Sequence, residues 1–230
     1  MKIIVTAGGT GGHIYPALAI INKIKEKEPD SEILYIGTTD RMEASIVPDR
    51  KIPYLGIEMK GLNRKNILKN FSVIKNTLKN VSYLKKEIKK FNPDIVIGVA
   101  GYVTAPVIYS AKKLGYKTFI HEQNSIPGVS NKFLSRYADK IGISLEASKN
   151  YFPSKKVVFT GNPRSEEVYN TIKVPKENLG LGLDDDKKLV LIVMGSLGST
   201  TMNKKLKETL PLFKNKNYEV VFVTGKGYYD

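Results

Sequence analysis

The sequence has no cysteine. That excludes disulfide staples and thiolate metal sites, and it favours a reducing compartment. Long hydrophobic runs are missing too. The longest uncharged stretch, 95–111, falls short of the roughly 20 residues a membrane span needs, and Gly98, Gly101 and Pro106 interrupt it. It reads as a buried strand, a loop and the start of a helix. No secretory leader is expected, because the apolar run Ile3-Ile4-Val5 is short and passes straight into glycines. Acidic residues are scarce: 22 Asp+Glu stand against 37 Lys+Arg, for a net charge of +15. Such an excess suits nucleic acid, an anionic membrane surface or an anionic substrate. Its placement narrows the choice. Between Lys60 and Lys90 the only acid is Glu87, and no aromatic-rich RNA motif or helix-turn-helix pattern accompanies the lysines. No nucleic-acid partner is expected.

What is present is ordinary globular sequence. At 230 residues and 41% hydrophobic content, the chain can hold one large domain, or one domain and part of another. Short apolar segments alternate with helical ones. The expected strands are Lys2–Ala7, Glu32–Gly37, Ile95–Val99, Thr118–His121, Lys140–Ser144 and Val157–Thr160, each bounded by Gly, Pro or polar residues. A helix is expected over Tyr15–Glu28, with Pro16 in its first turn and apolar residues at 17, 18, 21 and 24. This alternation implies an α/β fold, a parallel sheet with helices on both faces.

The pattern breaks after Gly161. Pro163, Pro175, Gly180, Gly182 and the run Asp184-Asp185-Asp186 read as a linker, and the acidic run reads as a solvated loop rather than a metal site. A second unit then begins, with strands at Leu189–Met194 and Glu219–Val223 and a helix at Thr201–Leu210 between them. The expected division is a first Rossmann-like domain over 1–163, and over 164–230 a linker with an incomplete second domain. One βαβ element leaves a parallel sheet open at its edges, so further chain past Asp230, or a partner, is expected to complete it.

Five motifs carry chemistry. Gly8-Gly9-Thr10-Gly11-Gly12-His13 follows the first strand and opens a helix. Glycines there let backbone amides approach an anion, and a helix N-terminus favours negative charge. The spacing matches neither the dinucleotide fingerprint nor the phosphate loop that ends in Gly-Lys-Ser/Thr. His13 stands at the positive end of the helix dipole, so a neutral ring is expected, as a general base requires. The alternative is a His13 that only hydrogen-bonds a ligand or caps the turn. Gly98-Val99-Ala100-Gly101-Tyr102 and His121-Glu122-Gln123-Asn124 each end a strand, where ligands of parallel sheets bind. His121 and Glu122 can equally be a buried structural pair; Asn124 is the expected ligand contact. Gly161-Asn162-Pro163-Arg164 places an arginine where it can reach a diphosphate. Gly195-Ser196-Leu197-Gly198-Ser199 is a second helix-opening anion cradle.

In order along the chain, Gly8 to Ala17, the series Gly37-Thr38-Thr39-Asp40-Arg41-Met42-Glu43, Gly101-Tyr102-Val103, His121 to Asn124 and Gly161-Asn162-Pro163 closely resemble one family. It is that of the UDP-N-acetylglucosamine–N-acetylmuramyl-(pentapeptide) pyrophosphoryl-undecaprenol N-acetylglucosamine transferases, in glycosyltransferase family 28. The resemblance implies a GT-B fold, two Rossmann-like doubly wound domains facing a cleft, the second truncated here. It implies an inverting transfer of N-acetylglucosamine from its UDP donor to the muramyl 4-hydroxyl of an undecaprenyl-diphosphate-linked muramyl-pentapeptide, with no cofactor and no metal. By resemblance Thr10, Gly11 and Gly12 contact the sugar nucleotide or the acceptor diphosphate, Asn124 the donor sugar and Ser196 the UDP phosphates; His13 is the candidate base. Two departures stand out. The family's arginine after Gly-Asn-Pro comes one place early, as Arg164 with Ser165 behind it, and Met194 and Leu197 replace Gly and Gln of the second loop. A nucleotide-sugar epimerase of the same fold is the alternative; it would act on free UDP-sugar without lipid.

The basic segment has its own pattern. Ile67, Phe71, Ile74, Leu78, Val81, Leu84, Ile88 and Phe91 recur at helical steps among lysines. The C-terminal half reads as a crossover helix packed on the core. Nearer its start, Leu62, Ile67, Leu68 and Phe71 amid Arg64, Lys65 and Lys69 read as an apolar patch rimmed by cations. Such a patch would dock on an anionic bilayer without spanning it, and the expected location is peripheral, on the cytoplasmic side of the cell membrane.

Overall fold

The computed structural model describes residues 1–59, 70–194 and 198–225, and of 70–79 the backbone alone. The described residues form two compact units, Met1–Asn170 and Thr171–Asp230.

The first unit is built on a seven-stranded sheet. Its strands are β1 (Lys2–Thr6), β2 (Glu32–Thr38), β3 (Tyr54–Ile57), β4 (Ile95–Gly98), β5 (Lys117–Glu122), β6 (Lys140–Ile143) and β7 (Val157–Phe159). They lie in the order β3-β2-β1-β4-β5-β6-β7, and every pairing is parallel. The sequence order therefore reverses between β1 and β4, which places a crevice beyond their carboxyl ends. Alternate side chains of β1 enter different layers. Ile3 and Val5 join Ile14, Ala17, Leu18 and Ile21 of helix α1 (Gly11–Lys27), whereas Ile4 joins Val96, Ile120 and Ile141 on the opposite face. That second layer is closed by α3 (Asn70–Phe91), through the buried Leu84 and Ile88, and by α4 (Thr104–Lys113), through Val107, Ile108 and Ala111. The C-terminal half of α3 is thus the core-packed crossover helix its spacing predicts. Two short helices, α2 (Glu43–Ile46) and α5 (Val129–Leu134), follow β2 and β5.

Each of the six strands expected here forms, with ends shifted by a residue. The start of α1 differs. It begins at Gly11, four residues before the expected Tyr15, so Pro16 lies inside the helix. A proline there removes one amide from the helical ladder, leaving the Gly12 carbonyl without its usual donor. β3 was not anticipated. It follows Pro53, contains Gly56 and lies at the sheet edge, half-buried, where the alternation of apolar residues is weakest.

A short helix, α6 (Ser165–Tyr169), belongs to the first unit, beyond the expected boundary at residue 163. Two contacts hold it there: Lys23 Nζ pairs with Glu166 at 2.7 Å, and the Arg164 guanidinium stacks over the Tyr15 ring at 5.1 Å. The second unit comprises β8 (Lys188–Val193), α7 (Thr200–Thr209) and β9 (Tyr218–Val223), with β8 parallel to β9. The Ser199 hydroxyl caps α7, accepting from Met202 N at 3.4 Å. Val190, Leu191 and Val193 of β8 are exposed, an apolar pattern on both faces that suits a strand covered on both sides. The Asp184–Asp186 run is a surface turn in which Lys187 pairs with Asp184 at 3.3 Å.

Candidate active site

The glycine loop between β1 and α1 meets the turn after β4 at the carboxyl edge of the sheet. Gly101 has φ +98°, and a Cβ there would stand 2.5 Å from the Gly8 carbonyl oxygen. Ala100, beside it, is left-handed at φ 65° without being glycine. Such backbone is held only where its surroundings over-determine it, and it clusters at functional sites. Between these loops and the chain after β5 lies a cleft of about 390 Å³, lined by Gly8, Gly9, Thr10, His13, Arg41, Tyr102, Glu122, Asn124 and Asn131 among others.

The loop amides are not equivalent. Gly9 N donates to Glu43 Oε2 at 3.0 Å, and the amides of His13 and Ile14 both return to the Thr10 carbonyl. Thr10 provides no side-chain cap. The first amides of α1 therefore lack intrahelical acceptors, so the donors left for an anion are those of Thr10, Gly11 and Gly12. Arg41 adds a cation to the same cleft.

The two histidines differ in what their rings already hold. His13 Nδ1 lies 3.0 Å from the Gly8 carbonyl oxygen. A carbonyl only accepts, so Nδ1 carries a proton, and Nε2 is the nitrogen through which the ring can accept one. His121 is engaged at both nitrogens. Its Nε2 donates toward Gly161 O at 3.1 Å, while Nδ1 accepts from Gln123 Nε2 at 2.9 Å. Burial pushes the His121 pKa below the ordinary histidine value, against the opposing pull of the Gly161 carbonyl and Glu122. The ring is a structural strut between β5 and the end of β7.

Glu122 organises the far wall. Oε1 accepts from the Asn124 backbone amide and from Asn124 Nδ2, both at 2.9 Å; Oε2 accepts from Gly128 N at 3.1 Å and Asn131 Nδ2 at 2.9 Å. The side chain is fully buried, and these four donors satisfy both of its oxygens. It turns Asn124 so that its Oδ1 is left for a ligand. The buried Oδ1 of Asn131 has no hydrogen-bond partner among the described residues. Nothing in the sequence pointed to Asn131, because it lies on a helix beyond the motif that ends at Asn124.

Thr10, Gly11, Gly12, His13 and Asn124 are thus brought to one edge of the sheet. Arg164 is not among the residues lining this cleft; besides stacking on Tyr15, its Nε pairs with Glu167 Oε2 at 3.0 Å. Ser196 lies outside the described residues, as do the first ten residues of the basic segment, 60–69, and the side chains of 70–79. Glu43, in the motif after β2, is fully buried beneath the glycine loop. Tyr35 and Tyr54 beside it have phenol pKa values raised first by burial and then by the Glu43 charge. Among the described residues no group of three or more His, Asp or Glu is placed to hold a metal ion, and no helix is long and apolar enough to cross a membrane.

The chain is similar to known proteins along its whole length. Over its whole length the chain is 49% identical to the UDP-N-acetylglucosamine–N-acetylmuramyl-(pentapeptide) pyrophosphoryl-undecaprenol N-acetylglucosamine transferase of Bacillus cytotoxicus, and it spans 63% of that relative's length. The crystal structure of Acinetobacter baumannii MurG superposes with a TM-score of 0.72 at 26% identity, covering 99% of this chain and 62% of that one. The UDP-GlcNAc 2-epimerase of Neisseria meningitidis superposes at 0.61 with 18% identity, covering 96% of this chain and 65% of that one, a likeness of fold alone. Residues 3–143 match the glycosyltransferase family 28 N-terminal domain, and the chain belongs to that family.

Proposed function

We propose that this chain, within a longer protein, is part of an inverting glycosyltransferase that moves N-acetylglucosamine from UDP-N-acetylglucosamine to an undecaprenyl-diphosphate-linked muramyl-pentapeptide. The observation that carries the reading is one cleft lined both by Thr10, at the open N-terminus of α1, and by His13, whose Nδ1 is turned to the Gly8 carbonyl, in a family 28 N-terminal domain. The acceptor hydroxyl oxygen attacks the anomeric carbon, and the bond from that carbon to the UDP oxygen breaks with its electron pair leaving on UDP. The hydroxyl proton passes to His13 Nε2. Amides of Thr10, Gly11 and Gly12 stabilise diphosphate charge, as donors fixed in advance do in a site that excludes water. Asn124 would hold a sugar hydroxyl through Oδ1. Ser196 belongs to this reading as a contact to the UDP phosphates, and Arg164 as a substrate-binding arginine able to reach a diphosphate; the segment after 163 serves the donor and 1–163 the acceptor. The relative's printed name and the cationic run Lys60–Lys90 support work at an anionic membrane face on the cytoplasmic side.

The test is transfer of labelled sugar from UDP-N-acetylglucosamine to a lipid-linked muramyl acceptor by the completed protein. Lipid-borne disaccharide is the expected product. Conversion of free UDP-sugar to an epimer with no acceptor present would move the assignment to the epimerases.

A further inference from the structure

Glu43 has no part in the proposed reaction, yet its carboxylate lies beneath the glycine loop with no solvent exposure. Oε1 accepts from Thr38 Oγ1 at 2.8 Å and from Thr38 N at 3.3 Å, while Oε2 accepts from Gly9 N at 3.0 Å. The Gly9 amide and the Gly8 carbonyl are the two ends of one peptide unit, and no peptide in the described chain is cis. In a trans peptide N–H and C=O point in opposite directions. So Glu43 grips the group from below by its N–H, and His13 Nδ1 grips it from above by its C=O, at 3.0 Å. Rotation of that one peptide would break both bonds. The glycines permit the arrangement: Gly9 has φ +92°, and a Cβ on Gly8 would run into Glu43 Oε1 and stand 2.8 Å from its Cδ.

We propose that Glu43 is a positioning residue, which fixes the Gly8–Gly9 peptide and through it sets the tautomer and aim of His13. A carboxylate accepting from one end of a peptide strengthens the acceptor at the other, because hydrogen bonds in series polarise one another. Glu43 does for His13 through a peptide what a carboxylate does directly for many catalytic histidines. The same hold on Gly9 keeps that amide away from an incoming anion and leaves Thr10, Gly11 and Gly12 as its donors. The structural claim stands on the two hydrogen bonds alone; its catalytic consequence rests on His13 being the base.

The test needs no substrate. The chain has two histidines, and imidazole nitrogen NMR on labelled chain, well above the ordinary histidine pKa of about 6.5, reads each tautomer. His121, protonated at Nε2, is the internal reference for an intact fold. Wild-type His13 is expected as the Nδ1–H form; an Nε2–H form would overturn the proposal at once. In Glu43→Ala, with the His121 signals unmoved, at least half of His13 should pass to the Nε2–H form that free histidine favours. Retention of Nδ1–H in that folded variant refutes the claim. Should Glu43→Ala lose the His121 signature, Glu43→Asp replaces it. Its shortened carboxylate cannot span Thr38 and Gly9 together, and unchanged Nδ1–H there is equally fatal. In the completed protein the same variant should lower kcat at least tenfold with little change in donor KM. A tautomer shift without a fall in kcat would leave Glu43 as the positioner and remove His13 as the base.

Discussion

What each histidine nitrogen already holds separates a reactive side chain from a structural one, and it sets opposite expectations for the two. His13 has Nε2 free in the cleft, so in the completed protein His13→Ala should lower kcat by about 100-fold or more, the usual range for a lost general base. Donor KM should change little, because a base acts only in the transition state. Near-normal turnover in steady-state kinetics would leave His13 with a purely structural part. His121 should instead show in stability. Its folded pKa is depressed by burial, so the unfolded chain binds the proton first as pH falls below the ordinary value of about 6.5. The stabilisation is complete above that pH and is lost on descent towards the folded pKa. Urea midpoints measured from pH 7.5 down to 5 should therefore fall, and the part of the fall due to this ring should vanish in His121→Gln. A pH slope identical in the two proteins would show that the ring does not carry it. The sequence placed both histidines at strand or helix ends but left each with two readings. Which nitrogen meets which carbonyl depends on backbone from Gly8 and Gly161, set by the fold and not by neighbours in the chain.

At the scale of elements, strands were legible and turns were legible only in part. The eight expected strands have short apolar runs with polar or glycine borders, and β3 escaped because an edge strand needs no such run. The start of α1 was misread because Pro16 resembles a first-turn residue, whereas tertiary packing of Ile14 starts the helix at Gly11. The turn after β4 carried glycine as its signal, but not the close approach that requires it. Gly101→Ala should destabilise the chain by about 1–3 kcal/mol, the usual cost of a side chain in strained backbone, since its Cβ would also press on Gly8 O. Ala100→Gly should act in the other direction. It relieves a left-handed residue that costs roughly 1–2 kcal/mol, less the entropy a glycine adds to the unfolded chain, about 0.4–1 kcal/mol. Denaturant midpoints of the two variants test the pair. The same sign for both would show that this turn is not held under strain.

Across the whole molecule, alternation announced a parallel sheet, yet not the order β3-β2-β1-β4-β5-β6-β7. Order depends on the direction each crossover takes, and the local pattern is the same either way. The reversal at β1 and β4 gathers loops that are far apart in sequence, which is why Asn131 joins the site without a sequence signal of its own and Glu43 joins it from a motif that the sequence left without a role. Charge, by contrast, is a property the sequence states outright. With a net charge of +15 and Glu87 the only acid from Lys60 to Lys90, the chain should bind anionic vesicles and neglect neutral ones. Each lysine or arginine near such a surface contributes roughly 1 kcal/mol. The attraction should weaken as salt rises, because the screening length shrinks from about 10 Å at 0.1 M to about 3 Å at 1 M. Co-sedimentation with phosphatidylserine-containing and with phosphatidylcholine vesicles, across a salt series, measures this. A variant with Arg64, Lys65 and Lys69 changed to glutamine should lose a large share of the low-salt binding. If the variant binds as the parent does, the attraction belongs to the net charge at large and not to the basic segment. Salt-resistant binding to neutral vesicles would mean that apolar contact, rather than charge, brings the protein to the membrane.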